Sequence, residues 1–593
     1  MAALFTTPRR NDTTAGTHVA EPDVRRRIGL AHGSWRRVTR RIVAGAVCAL
    51  TVSSLLMPSV SLAAEWVKVG GNKYNTAASD EAGTWSWDGA DDLKLNNYNG
   101  GEIQAAGKLN VNYSGTNIVT AEWIESIKVS HGTNENAELN IQGDEGGTLS
   151  VTSTEDAILS TGNINIDGAG SVNATSTGFD AINAGGDLAI KGSGNVNATG
   201  ASDGIRANGN ITIDDSGAVT ARATKDKGIG ADKNLTIKGG GTVEASSADG
   251  EALWSGGNIN ISDGSQVKAS SEKDAAVEAK GSLAVTNASL DASGVEYGVY
   301  AYKGVTLDHA TVMVRTSANG GQAIALITDG DDIVIKNGST VDAFAEGEVS
   351  AAFSTRNDRP NEKGGHIYIS DSVVKAIARY VENGDGPIPH SENQDGETRR
   401  EPQGENIGII AQTSEGVTPA VISIIRSKVT AEGDTAAIFA RAMSADGKTI
   451  GTIKIENAAI QTPEGGKVID YRKLRDGIYE AGQAIGTGHA TVDSLYIKAV
   501  AKSTTIAPPE VAKPEDPKPD ETKPAESKPA ESKQNPKPEG SKPTKAVAAS
   551  TTKAKTTGVL AATGDTSGAA IVATVLAGTA AIAAGTMASR KRS

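Results

Sequence analysis

The stretch DGIRANGNITIDDSGAVTA, residues 203–221, contains no aromatic residue, no cysteine and a single arginine. Three apolar beats punctuate it: Ile205, then Ile211 with Ile213, then Val219. The i, i+2 spacing of Ile211 and Ile213 is the period of a strand with one buried face. Gly, Asn, Asp and Ser fill the gaps between beats, and these are the residues of tight turns. No segment nearby is long enough, with 3.6-residue periodicity, to form a helix.

The same pattern recurs. Units begin at Asp156, Asp180, Asp203, Lys227, Glu251, Ala275, Tyr297 and Gln322, in steps of 24, 23, 24, 24, 24, 22 and 25 residues. A fixed period of this size is the mark of stacked structural units. Three short strands per turn, each coil laid on the last, predict an all-β parallel β-helix, expected to be right-handed, with rungs of 22–25 residues. A lone coil cannot bury its apolar side, but stacked coils share one narrow core. Such a core needs only small and medium side chains.

Columns of the stack carry further expectations. Asn163, Asp187, Asn210, Asn234, Asn258 and Ser282 precede successive middle strands. Stacked amides at turns bond along the axis, a reading preferred here to a row of ligands. Asp167, Lys191, Asp214 and Lys238 follow the same strands, alternating in sign on rungs about 4.8 Å apart. Less regular rungs are expected at 93–119 and 137–151, and again at 365–378, 420–433 and 451–462. Polar insertions interrupt the later ones at 355–364 and 382–405. The boundaries read from the chain are a leader and signal peptide over 1–64 and a cap with a first rung over 65–136. A regular β-helix follows over 137–345 and irregular rungs over 346–505. A linker spans 506–557 and a terminal segment 558–593.

Composition fits a repetitive solenoid: 69 of 593 residues are glycine and 4% are aromatic. The only cysteine, Cys48, lies in the apolar run of the leader, so no disulfide or metal–thiolate site is expected. Histidines 18, 32, 131, 309, 366, 390 and 489 never pair at a metal-ligand spacing.

The ends speak to location. RRVTRRIVAGAVCALTVSSLLMPSVSLAAEW has a basic start, an apolar run and small residues before Glu65, as an export signal does. Ten of the nineteen prolines fall within 508–543. Such a segment should remain extended and disordered, at about 3.1 Å per residue. Then comes LAATG, Leu560, Ala561, Ala562, Thr563 and Gly564, followed by the uncharged run 569–588 and the basic Arg590, Lys591 and Arg592. An apolar run of that length suffices for a membrane-spanning sorting helix. The ensemble resembles the L-P-x-T-G sorting signal of Gram-positive surface proteins, with Ala561 in place of proline. The resemblance implies that a sortase cuts between Thr563 and Gly564 and joins Thr563 to peptidoglycan. The chain would then be exported, attached to the Gram-positive cell wall and face outward. Without the leader and the segment after Gly564, which carry +6 and +2, the remaining chain carries about −21 of formal charge. That disfavours nucleic acid and anionic lipid as partners.

Over roughly 150–345 the DGI-x-A-x-G-x-I-x-I repeat resembles bacterial β-helical carbohydrate-binding domains, which implies an adhesin for acidic polysaccharide with calcium as an optional ligand. A protein-binding adhesin or an inert stalk is the alternative. A polysaccharide lyase is the third reading, and it is set lower. The adjacent pairs Asp214–Asp215 and Asp331–Asp332 would point to opposite faces of a strand, which is useless for an acid–base pair. No enzymatic activity is expected, and no cofactor is required. Two candidate sites follow. Asp156, Asp180 and Asp203 share one place on three rungs, as a calcium row or as caps of their own turns. The outward column Leu159, Asn183, Arg206, Gly230, Trp254, Glu278, Tyr300 and Ala325 offers Trp254 and Tyr300 as stacking faces and Arg206 as a carboxylate holder for a host or environmental glycan. The alternative is that these aromatics only cover the thin coil.

Overall fold

The computed structural model describes residues 63–132, 137–318, 321–357, 365–381, 405–414, 417–445, 447–475, 478–488 and 499–509. The chain divides into two units, 1–512 and 513–593, and all described residues belong to the first. The leader, the proline-rich linker, the LAATG motif and the run 569–588 lie outside the described residues. No helix among the described residues is long and apolar enough to cross a membrane.

Every rung gives one strand to each of three sheets. In the rung quoted above, Ile205–Ala207 belongs to the first sheet, Ile211–Asp214 to the second and Ala218–Ala223 to the third. Each pairs in parallel with its equivalents above and below: Ile205 lies between Ile182 and Ile229, Ile211 between Leu188 and Leu235, Val219 between Val196 and Val243. All nine are at most 2% exposed. The result is a parallel β-helix whose interior is stacked columns of Ile, Leu, Val and Ala. Burying each of the larger ones contributes about 1.5–3 kcal/mol.

The corner between the second and third sheets has its own rule. Gly168, Gly192, Asp215, Gly239, Asp263, Asn287, His309, Asn337, Asp371, Arg426 and Asn457 occupy it on successive rungs, and all have positive φ. Left-handed backbone is open to Gly and tolerated by Asn and Asp, so the composition of this column follows from the turn.

Antiparallel strands close both ends. Trp66–Val69 pairs with Ile103–Ala106, and Trp85–Trp87 pairs with Asp92–Asn96. Trp85 and Trp87 are buried there. At the other end the hairpin Lys467–Arg475 with Ile478–Gly486 adds to Ala436–Ser444 of the first sheet. Ser503–Ala507 inserts antiparallel between Lys428–Gly433 and Ala459–Thr462 of the third sheet. Ile506 is fully buried in it, so the solenoid runs past the expected boundary at 505.

Other expectations need correction. Thr355, Arg356 and Asn357 are not loop residues. They end the strand Val349–Asn357 and are buried. Glu405 is likewise engaged, 2.8 Å from the buried Arg441. The partner of Tyr300 on the next rung is Ile327, not Ala325. In this part of the first sheet the strands grow from three residues to eight or nine. Their outward side chains are covered: Tyr300, Ile327, Ile410, Phe439 and Tyr471 belong to a second apolar cluster outside the main core.

Candidate functional site: a polar groove on the second sheet

Leu188–Lys191, Ile211–Asp214, Leu235–Lys238 and Ile259–Ser262 turn two apolar residues each toward the core. Their alternation leaves Ala189, Thr212, Thr236 and Asn260 in one outward register. Beside that column runs the amide ladder. Asp187 N–H donates to Asn163 Oδ1 (2.9 Å), Asn210 to Asp187 (2.7 Å), Asn234 to Asn210 (3.3 Å) and Asn258 to Asn234 (2.9 Å). The amide groups of Asn210 and Asn234 donate down the same ladder, each at 3.1 Å. Turn bonding therefore explains the column, as its composition suggests. The two columns together also border an open groove of about 540 Å³, with Asp187 and Lys191 at its first rung. Asn234, Asn258 and Asn260 are exposed in it. Beyond that first rung the groove is a strip of amides and hydroxyls, Asn210 with Thr212, Asn234 with Thr236 and Asn258 with Asn260, repeating over three rungs. Thr212, Thr236 and Asn260 were not singled out from sequence, though the polar residue between two apolar ones in NITI, NLTI and NINI marks them.

Among the flanking charges, Lys238 Nζ lies 2.9 Å from Asp214, one rung of the expected alternating ladder.

Asp156, Asp180 and Asp203 do stack, but their carboxylates face backbone. Asp156 Oδ1 accepts the N–H of Asp180 (3.0 Å), Asp180 Oδ1 that of Asp203 (2.9 Å), and Asp203 Oδ1 that of Lys227 (2.6 Å). Asp156 also accepts from the Asn183 amide (3.2 Å) and Asp203 from Arg206 (3.4 Å). Burial raises all three above the usual carboxylate range, and Asp203 is pushed up to about 6. The arrangement caps turns. Among the described residues, the group of three carboxylates close enough to share an ion is Asp88, Asp91 and Asp92 near the N-terminal end. There Asp88 Oδ1 accepts the N–H groups of Ala90 (2.8 Å) and Asp92 (3.1 Å).

The outward column of the first sheet is largely self-satisfied. Arg206 lies near Asp203 (3.4 Å) and Asp232 (3.6 Å). Lys227 lies across Gly230, where a Cβ would meet its Cδ at 2.8 Å, and its Nζ sits 5.3 Å from the centre of the Trp254 ring. Glu278, next in line, pairs with Lys280, whose Nζ sits 4.1 Å over the Tyr302 ring. Tyr300 stacks on Tyr302 at 4.5 Å and is 8% exposed. Tyr300 is therefore not an exposed stacking face. Trp254 is half-buried with a cation against it. Arg206, Trp254 and Tyr300 share a column, with Arg206 and Trp254 half-buried and Tyr300 buried.

Comparisons with protein-family models, curated proteins and solved structures find no match to this chain.

Proposed function

We propose that this chain is an exported, wall-anchored surface protein whose solenoid holds an extended polysaccharide along the polar groove of the second sheet, without acting on it chemically. The observation that carries this reading is the groove's construction. Amides and hydroxyls are fixed in register over three rungs, about 9.6 Å along the axis, beside a first rung that carries Asp187 and Lys191. Sugars bind through such arrays of neutral donors and acceptors. The excess negative charge of the exported part disfavours nucleic acid. Export and anchoring rest on the leader, the proline-rich spacer and the LAATG sequence with its apolar run and basic tail. The partners are then an outside polysaccharide, the sortase and, through Thr563, peptidoglycan. Calcium is not needed, because backbone N–H groups already occupy the aspartate row.

The test is glycan-array binding by the purified protein with and without calcium, alongside a Thr236→Val, Asn260→Leu double variant. Binding that is indifferent to calcium and falls at least tenfold in the variant supports the reading. An array on which the native protein binds nothing returns it to a stalk or a protein-binding adhesin. For the anchoring half, Thr563→Ala should move the protein from the wall fraction to membrane or medium. Retention in the wall would remove the sortase.

A further inference from the structure

Trp123 is 80% exposed and holds a backbone φ of 68°. Either property is unusual for tryptophan, and left-handed backbone is strained for a bulky residue. The strain is held in place. Trp123 N–H donates to Thr154 Oγ1 on the next rung (2.9 Å). Ser153 Oγ donates to the carbonyl of Ile124 (2.8 Å), and Ser126 Oγ to that of Thr152 (2.5 Å). Ser153 and Ser126 are both buried. This corner, between the third and first sheets, is a fixed platform rather than a loose loop. Among the described residues no ring or cation lies against Trp123.

One more rung on, the corner carries Phe179, 51% exposed. Its N–H is held by Ser176 Oγ (2.9 Å), and its carbonyl accepts from Ser202 (3.0 Å). The rung between the two aromatics presents Thr154 and Glu155 at the equivalent places. Gly178, which follows Thr154 in the stack, could bear no side chain: a Cβ would lie 2.2 Å from the Thr154 carbonyl. Two exposed aromatic residues are thus offered two rungs apart, about 9.6 Å along the axis, with the half-buried Thr154 and Glu155 between them.

We infer that Trp123 and Phe179 form a second glycan-binding site, at the corner between the third and first sheets, that stacks against pyranose rings of a neutral extended polysaccharide. The inference rests on the polysaccharide reading above, but on a different surface from the groove. Flat aromatic rings match the C–H faces of pyranoses, and rigid platforms lose little entropy on binding. The surroundings decide the ligand's charge. Glu122, Glu125, Glu155 and Asp156 belong to the same corner, Lys128 is paired with Glu125 at 2.7 Å, and Arg206, which acts on Asp180 beside Phe179, is paired with Asp203 and Asp232. Such a site repels uronates and sulfated sugars, as like charges do.

The experiment measures binding of the full protein to a neutral glucan, to polygalacturonate and to the array's best ligand, by calorimetry. The variants are Trp123→Gly, Phe179→Ala and the groove pair Thr236→Val, Asn260→Leu. Trp123→Gly should weaken neutral-glucan binding at least tenfold while the melting temperature holds or rises, because glycine relieves the left-handed strain. Phe179→Ala should weaken it as well. A fall in melting temperature with intact binding would make Trp123 structural and overturn the inference. Wild-type affinity for neutral glucan in both aromatic variants, with loss only in the groove pair, overturns it while leaving the proposed function standing. Binding of polygalacturonate alone also overturns it. If the native protein binds no glycan at all, both readings fall together.

Discussion

Asp203 Oδ1 accepts the backbone N–H of Lys227 at 2.6 Å, one step of a ladder in which each carboxylate caps the rung above it. The same ladder runs from Asp156 through Asp180. Stacked carboxylates about 4.8 Å apart would ordinarily call for a cation between them. Here a peptide N–H lies there instead, and Arg206 adds a positive group at the end of the row.

Removing that cap should be costly. Asp203→Ala strands a partly buried N–H and deprives Arg206 of its nearer partner, so a loss of about 1–3 kcal/mol is expected. Asp203→Asn keeps an acceptor and should lose less. Thermal melts of both variants, with millimolar calcium and with chelator, check the point. A calcium-dependent rise in melting temperature that disappears in Asp203→Ala would return the row to a metal.

The buried acids also set a pH dependence. Burial and a hydrogen bond to Glu278 raise Glu251 from 4.5 to about 7, and burial raises Asp203 to about 6. Both groups hold their protons more tightly in the folded chain than in the unfolded one. Their contribution is therefore complete below the unfolded values and is lost as pH climbs through about 6 to 7. The melting temperature should fall between pH 5 and pH 8, and Glu251→Gln should flatten that fall. An identical slope in the variant would show that Glu251 stays charged throughout.

At the corner between the second and third sheets, residue type and backbone are matched. Gly239 has φ 85°, and a Cβ there would meet Asp215 N at 2.4 Å. Gly239→Val should cost well over 1 kcal/mol, combining strain with a clash. Asp263, with φ 57° on the next rung, should accept glycine at no cost and lose about 1 kcal/mol as valine. Denaturant melts of the three variants test the ranking, and a stable Gly239→Val protein would break it.

The solenoid was legible because its signals are local and repeated. Ile211 and Ile213, with turn residues on either side, state a strand, and the 24-residue step states its neighbour. The same alternation tells which side chains point outward but not what covers them. Ile327 looks like an outward residue and is 2% exposed, since a second apolar cluster lies over that part of the first sheet. The partner of Tyr297 is Ile324 and not Gln322, so a unit started at Gln322 is two residues out of register and places Ala325 where Ile327 belongs. The groove escaped notice for a different reason. Asn210, Asn234 and Asn258 are fully explained as turn residues, and nothing in one strand reveals that Thr212, Thr236 and Asn260 line up beside them. Trp123 stood outside the repeat, so no column drew attention to it.

Trp254 separates the two surfaces most sharply. Lys227 lies against its ring, and its outer edge covers Gly256, whose Cβ would come within 3.4 Å. These contacts cover the thin coil, so Trp254→Ala should lower stability by about 1–3 kcal/mol. Glycan binding should stay within twofold of the native protein, because the groove lies on the second sheet and the exposed aromatics lie at another corner. Melting and calorimetry on the same preparation decide it. A tenfold loss of binding with an unchanged melting temperature would put the glycan on the first sheet beside Arg206, and the groove would then be only a row of well-bonded turns.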